Sequence, residues 1–234
     1  MADIALRGEL WDNDSADVLR FWGWRDITAP MDIQAALEAA GGEDVTVLIN
    51  SPGGDMAVGL EIRSMLRRYG GKTTALFQGY GASAATLAAT GCRWIQSEPG
   101  ALLCYHNPSG SAEGDHRGMR RAAEALRNAR DCVLEVYAAR GGAKTREELI
   151  ALMDKDVWIT PTQAREYGLV DEIVGAAAAE EDPAAFVASA GRHIRLTAAM
   201  REKYQAHVAE QRAEQARREQ ASRALTRIRA LANF

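Results

Sequence analysis

The stretch KTTALFQGYGASAAT, residues 72–86, decides the fold because it holds a strand, a turn and a helix start in direct succession. Lys72 to Gln78 is apolar and rich in β-forming residues, which predicts a buried strand. The small residues from Gly79 to Ala85 allow the backbone to bend sharply and to start a helix at once. Ser83 lies at this bend, so the sequence predicts a serine hydroxyl raised into a cleft, beside backbone amides that could stabilise an oxyanion.

Four β-rich runs alternate with helical patterns and tight turns. They are Asp44–Asn50, Lys72–Gln78, Arg93–Gln96 and Leu102–Tyr105. Between the first two, Asp55–Tyr69 has apolar residues at helical spacing and is followed by Gly70-Gly71, which predicts a crossover helix. This alternation predicts an α/β fold with parallel strands.

Helical signals continue beyond the last of these strands. Asp115–Arg140 is predicted to be one long amphipathic helix, and such a helix is too long for a small domain to cover, which favours self-association. Two capping boxes predict the starts of further helices, and a glycine predicts the end of the second. These signals are Thr145 with Glu148, Thr160 with Gln163, and Gly168.

Composition limits the class of protein. The 234 residues are 47% hydrophobic with a net charge of -4, enough for one buried domain plus an appendage. We expect a domain over residues 1–175 and a linker with a charged helical tail over 176–234. The linker is predicted from the alanine-rich stretch Gly175–Glu181, and the helix from Arg201–Arg229, where Lys and Arg outnumber Glu. The tail is either a solvated helix or one that binds a partner.

Other features exclude several partners and compartments. No basic patch is interleaved with aromatic residues, which argues against nucleic acid as the main partner. No apolar run is long enough for a membrane span, and no leader pattern opens the chain, so we expect a soluble, unexported protein. Three cysteines without metal or redox spacing fit a reduced cytoplasm, and no metal or organic cofactor is implied.

Candidate catalytic residues come from polar groups at strand ends. His106 lies at the end of the predicted strand, just before Asn107-Pro108, and catalytic groups often lie at strand ends. A structural histidine that bonds a backbone carbonyl would fit this position as well. Ser83 could equally mark close packing of a strand against a helix. Asp154 and Asp156 are both candidate acids, and spacing alone does not choose between them. The glycines of Asn50–Asp55 favour an oxyanion hole over a phosphate site, since the P-loop Lys-Ser/Thr is absent.

Four blocks of sequence then point to a family. They are Ile49-Asn-Ser-Pro-Gly-Gly-Asp55, Gly79-Tyr-Gly-Ala-Ser83-Ala84, Tyr105-His106-Asn-Pro108, and Asp156-Val-Trp-Ile-Thr-Pro161 followed by Glu166-Tyr-Gly-Leu-Val-Asp171. With these blocks, the chain from about Gly8 to Val174 resembles the Clp protease proteolytic subunit. Trp158 and the Leu-Met-Asp before Asp156 resemble its phage and prophage head-maturation branch, the prohead proteases.

The resemblance implies roles for particular residues. Ser83 would be the nucleophile, His106 the general base and acid, and Asp156 the residue that orients the imidazole. The oxyanion amides would come from Gly54 and Ala84, and the substrate strand would pair along Gly53, Asp55 and Met56. It also implies a ClpP/crotonase-like spiral of repeated ββα units with a protruding handle helix, and seven-membered rings, often stacked in pairs.

The function expected from this resemblance is a serine endopeptidase that cleaves a phage capsid or scaffold protein in the host cytoplasm, within assembling proheads. The predicted C-terminal tail of this chain has no counterpart in the housekeeping Clp proteolytic subunit. We therefore expect ATP-independent action and do not expect docking to a Clp ATPase. One alternative is a ring-forming assembly protein with a silent triad. Another is an acyl-CoA enzyme of the crotonase type, which shares the fold and the oxyanion loop.

Overall fold

The computed structural model describes residues 1–140, 144–175 and 196–232, and these fall into two compact units. The first unit contains Met1–Ala16 and the chain from Arg25 through the last strand of the sheet. The second contains Asp17–Trp24 together with the C-terminal helix. Most of the predicted linker, residues 176–181, lies outside the described residues. No helix in the described residues is both long enough and apolar enough to cross a membrane.

The described residues form eight strands and eight helices, which largely alternate along the chain. The strands are β1 Ala2–Leu10, β2 Ile27–Thr28, β3 Val45–Gly54, β4 Thr73–Ala82, β5 Trp94–Ser97, β6 Leu102–Cys104, β7 Trp158–Ile159 and β8 Glu172–Ile173. The helices are α1 Asn13–Phe21, α2 Pro30–Ala40, α3 Met56–Arg68, α4 Ala84–Ala89, α5 His116–Ala138, α6 Arg146–Lys155, α7 Pro161–Glu166 and α8 Ala198–Ala232.

One sheet organises the first unit. Its main path runs β2-β1-β3-β4-β5-β8 with every pair parallel, while β6 pairs in parallel with β4 and β7 pairs antiparallel with β6. Phe77, Ile49 and Leu6 on three neighbouring strands are fully buried, and so is Ile62 of α3. The predicted α/β class with parallel strands is confirmed, because helical crossovers are the connections that parallel strands require.

The central strands run further than the sequence predicts. Residues 51–54 and 79–82 are predicted to form a loop and a turn, but they continue β3 and β4. The extension of β3 pairs with β1, a strand that the sequence analysis did not predict. Irregular register between Ile49 and Ser51 allows the glycine-rich segment to stay in the sheet. The sharp turn therefore falls at Ser83 itself.

Local capping signals are confirmed. Thr145 and Thr160 each accept a hydrogen bond at the start of their helix, and Glu148 and Gln163 complete the two boxes. The long helix α5 agrees with its predicted range to within two residues at each end. Its buried residues all lie near its C-terminal end, whereas Met119 toward the other end is 49% exposed.

The second unit is built from a short segment and a long helix. The ring of Phe21 lies 5.7 Å from that of Tyr204 and 4.7 Å from that of His207, measured between centroids. The ammonium of Lys203 lies 4.8 Å from the centroid of the Trp22 ring, within range of a cation–π interaction. The predicted helical tail is thus present, and its first turns carry aromatic contacts.

Candidate active site

Ser83 has a backbone conformation that few residues adopt. Its φ of 54° and ψ of −127° lie outside the favoured regions for a residue with a side chain. The Ser83 amide donates to the carbonyl of Cys104 at the end of β6 over 3.0 Å, and α4 begins at the next residue. The predicted bend from strand to helix is therefore present, held by the neighbouring strand.

Gly53 allows the serine turn to lie directly against β3. A Cβ on Gly53 would come within 2.5 Å of the Ala82 oxygen and 2.7 Å of the Ser83 Cβ. Gly53 also has a φ of 90°, which favours glycine. Any side chain at this position would have to displace the turn that carries Ser83.

Gly54 lies against β1 in the same way. Its φ is 147°, and a Cβ there would lie 2.2 Å from the carbonyl oxygen of Leu10. That oxygen accepts a hydrogen bond from the Asp55 amide over 3.0 Å. The strand β1, which the sequence did not predict, therefore packs against the glycine-rich end of β3.

An open cleft of about 330 Å³ brings most of the predicted residues together. Among its lining residues are six of the eight residues to which the family resemblance gives roles: Ser83, His106, Gly54, Ala84, Asp55 and Met56. Apolar groups complete the wall, contributed by Leu87, Pro108 and Val133 with the ring of Tyr137. This combination of a hydroxyl, an imidazole and backbone amides beside an apolar wall suits acyl-group chemistry.

The Asp55 side chain has a structural task. Its carboxylate caps α3 by accepting a hydrogen bond from the Ala57 amide over 2.7 Å. The carboxylate thus fixes the direction in which the chain passes from the glycine-rich end of β3 into α3. Asp55 remains a candidate for substrate binding through its backbone, as the pairing of a substrate strand would require.

His106 follows β6 and is half-buried in the wall of the cleft. In the part of the chain that the structure describes, no hydrogen bond joins Ser83, His106 and Asp156 to one another. Catalytic hydrogen bonds are often long before substrate binds, so the shared cleft is the more informative observation.

Asp156 does not line the cleft. It lies just after α6 with φ 48° and ψ 51°, a left-handed conformation, and its Oδ1 is 4.0 Å from the Cys104 sulfur. Burial, followed by the charge of Asp156, raises the pKa of the Cys104 thiol to about 11. Cys104 therefore faces this carboxylate as a neutral thiol, a weak donor.

Two hydroxyl groups behind the serine were not predicted as part of the site. The Thr86 hydroxyl donates to the Ser83 carbonyl over 2.6 Å and lies 2.7 Å from the hydroxyl of Tyr137. Because the Thr86 hydroxyl has a single proton, Tyr137 is the donor to Thr86. Tyr137 could have been suspected, since it lies one helical turn after Val133 on the apolar stripe of α5.

Known proteins resemble this chain in sequence. The Clp protease family model matches residues 30–177. ATP-dependent Clp protease proteolytic subunits are 28% identical in Bacteroides fragilis and 31% identical in Nephroselmis olivacea, each over 135 residues. Subunit 1 of that protease from Streptomyces avermitilis is also 31% identical over 135 residues. The alignments cover 56 to 57% of this chain and 61 to 65% of the relatives.

A solved structure matches the fold. A ClpP1 mutant from Listeria monocytogenes aligns with a TM-score of 0.59 over 75% of this chain and 92% of that chain, at 20% identity. At this identity the likeness concerns the fold alone, and it confirms the expected ClpP-like α/β architecture. Because the family model covers more than half of the residues, the chain belongs to the Clp protease family.

Proposed function

We propose that the chain is a ClpP-type serine endopeptidase that uses Ser83, His106 and Asp156. The observation that carries the proposal is Ser83, on a strained turn in the cleft that His106 also lines. A buried structural serine would have no need of this conformation or this exposure. Membership of the Clp protease family supports the same reaction class.

The proposed reaction transfers an acyl group to Ser83 and then to water. His106 takes the serine proton as the serine oxygen bonds to the peptide carbonyl carbon, and the amides of Gly54 and Ala84 donate to the resulting oxyanion. His106 returns the proton to the leaving nitrogen as the C–N bond breaks. A water molecule deprotonated by His106 then hydrolyses the ester and regenerates the serine.

Alignment of the three groups is part of the proposal. Asp156 would orient the His106 imidazole, and this requires its carboxylate to turn from Cys104 toward His106. Substrate binding or assembly with other copies would favour that arrangement through its contacts with the aligned state. The substrate would bind as an extended strand along Gly53, Asp55 and Met56, opposite the apolar wall.

We further propose that the enzyme acts without an ATPase on capsid or scaffold protein during prohead maturation, in the host cytoplasm. The relatives are named as ATP-dependent subunits, whereas α8 lies beyond residue 177, where the family match ends. Homo-oligomeric rings of seven, which would stack in pairs to form a tetradecamer, would cover the exposed part of α5. The acyl-CoA enzyme and the silent assembly protein are not favoured, because the match is to a protease family.

A fluorophosphonate probe tests the activated serine directly. Intact-mass spectrometry of the full chain should show one probe adduct on the wild type and none on Ser83→Ala, with labelling of His106→Ala slowed at least about a hundredfold. Cys132→Ala is the matched control, because that side chain is exposed and lies outside the cleft. An unlabelled wild type in a folded oligomer of confirmed mass would contradict the proposal.

The setting is tested separately. Co-expression with the capsid and scaffold proteins of a phage that encodes the chain should yield shortened products with the wild type and none with Ser83→Ala, in the absence of any added ATPase. Light scattering should give a mass of seven or fourteen copies. Cleavage only when a Clp ATPase is supplied would contradict the ATP-independent part while leaving the peptidase proposal intact.

A further inference from the structure

A second cleft, of about 300 Å³, lies apart from the serine site. It is bounded by the second half of α3, the turn after α4 and the last turn of α5. Its lining residues are Arg63, Arg67, Thr90, Gly91, Cys92, Arg93, Val136, Ala139 and Arg140. Four of these nine are arginines, and no carboxylate is among them.

Two of the arginines are fixed by the protein. Arg63 donates from Nε to the Thr90 hydroxyl over 2.9 Å, and Arg140 donates from Nη1 to the Cys92 carbonyl over 3.2 Å. Arg140 also pairs with Asp171 through Nη2. Because their rotamers are already held, these guanidinium groups lose little conformational freedom when an anion binds.

The other two arginines carry uncompensated charge. Arg67 and Arg93 are exposed, and in the described residues neither makes an ion pair. Desolvation, followed by the charge of Arg67, lowers the pKa of Arg63. Among the described residues, the one ion pair made by these four arginines is that between Arg140 and Asp171. The cleft therefore has an excess of positive charge, and an anion that enters it would be attracted.

The backbone brings these groups together closely. Gly91 lies so near α3 that a Cβ there would come within 2.5 Å of the Arg63 oxygen. This contact holds the turn after α4, which carries Arg93, against the helix that carries Arg63 and Arg67. The close packing of this turn on α3 therefore brings the two fixed arginines and the two exposed arginines to one cleft.

We propose that this cleft binds a small anion that carries more than one phosphate group. Planar guanidinium groups form paired hydrogen bonds with phosphate oxygens, and several of them around one cleft suit a multiply charged ligand. The lining offers Val136 and Ala139 but no aromatic ring, so a nucleobase has no stacking partner and the phosphates supply the recognition. The site goes beyond the proposed peptidase activity and does not depend on it.

Calorimetric titration with inorganic tripolyphosphate tests the site on the full chain. The wild type should bind, with an affinity that falls as salt rises, and Arg67→Ala with Arg93→Ala together should weaken binding at least about tenfold. Both changes leave the fixed pairs of Arg63 and Arg140 in place. Arg68→Ala is the matched control for the single variant Arg67→Ala, because each removes one exposed positive charge from α3 and only Arg67 lines the cleft. Arg68→Ala should change affinity less than about twofold.

Three results would overturn the proposal. The first is no measurable binding of millimolar tripolyphosphate to folded wild type at low salt. The second is an equal loss of affinity in Arg67→Ala and Arg68→Ala, which would reveal only general attraction to positive charge. The third is a combined result: the double variant loses its oligomeric mass, and the wild type does not bind tripolyphosphate. This result would make the cleft a contact between copies of the chain. Probe labelling of Ser83 in the same samples keeps this outcome distinct from that of the peptidase test.

Discussion

Asn107 donates a hydrogen bond from Nδ2 to Oδ1 of Asp154 over 2.8 Å. This contact distinguishes Asp154 from Asp156, two acids between which spacing in the sequence does not choose. Asp154 is bound to the residue after His106, whereas Asp156 faces the Cys104 sulfur two residues before it. This difference supports the proposal that Asp156, and not Asp154, orients the imidazole.

The first prediction compares these two acids. Asp156→Asn should lower kcat/KM for a peptide substrate by about a hundredfold to ten-thousandfold, because the imidazole loses the charge that orients it. Asp154→Asn keeps an acceptor for Asn107 and should lower kcat/KM only a few fold. Steady-state kinetics on both variants give the comparison, and a larger loss in Asp154→Asn would exchange the two roles.

The second prediction concerns the glycine behind the serine. Gly53→Ala places a Cβ within 2.5 Å of backbone at a φ of 90°, so it should abolish probe labelling of Ser83 and cost about 1–3 kcal/mol in the free energy of unfolding. Gly70→Ala is the control, since no atom lies within 4 Å of the added Cβ and its φ imposes no strain. Urea unfolding should show this control at least as stable as the wild type.

The third prediction concerns the hydroxyls behind the serine. Tyr137→Phe removes the donor to Thr86 and should lower the free energy of unfolding by about 1 kcal/mol. Thr86→Val breaks both hydrogen bonds, leaves the buried Tyr137 hydroxyl without its acceptor, and should cost more. Combined urea unfolding and probe labelling should show slower acylation in both variants. If the double variant is destabilised by the sum of the single losses, the two hydroxyls do not interact.

The fourth prediction is a pH dependence. The pKa of Cys104 is raised from 9.0 to about 11, so between these values the unfolded chain loses a proton that the folded chain keeps. The contribution of this thiol to stability is complete below about pH 9 and is lost as pH rises toward 11. Stability of Cys104→Ala should therefore fall less steeply over this interval than that of the wild type, in urea unfolding at a series of pH values.

Cys132→Ala is the control for that series, because Cys132 is exposed. It should retain the wild-type slope, to which buried Cys92, Tyr105 and Tyr137 also contribute through their raised pKa values. Identical slopes for Cys104→Ala and Cys132→Ala would contradict a buried, neutral thiol beside Asp156.

Much of the fold could be predicted from sequence because its signals are local. Periodicity located α3 and α5, and capping boxes located α6 and α7. The extension of β3 through Gly54 could not be predicted in the same way. It depends on pairing with β1, more than 40 residues earlier in the chain, and glycines next to a proline normally indicate a loop.

The same distinction between local signals and contacts of distant residues applies to the site. Six candidates meet in one cleft because strand ends and the turn that follows them have recognisable sequences. The position of Asp156 depends on the left-handed end of α6 and on Cys104, and neither is visible in spacing. The hydrogen bond between Tyr137 and Thr86 joins residues 51 positions apart, so only packing reveals it.

That hydrogen bond links α5 to the serine turn thermodynamically. A helix of this length extends about 34 Å, and its last turn supplies the proton that Thr86 accepts while Thr86 holds the Ser83 carbonyl. A partner that stabilises α5 in the position where Tyr137 donates to Thr86 should therefore also stabilise the ordered serine turn. By reciprocity, a reversible covalent inhibitor on Ser83 that favours the ordered turn should tighten binding of any partner that holds α5 in this position. The factor should equal the one by which the partner increases the affinity for the inhibitor.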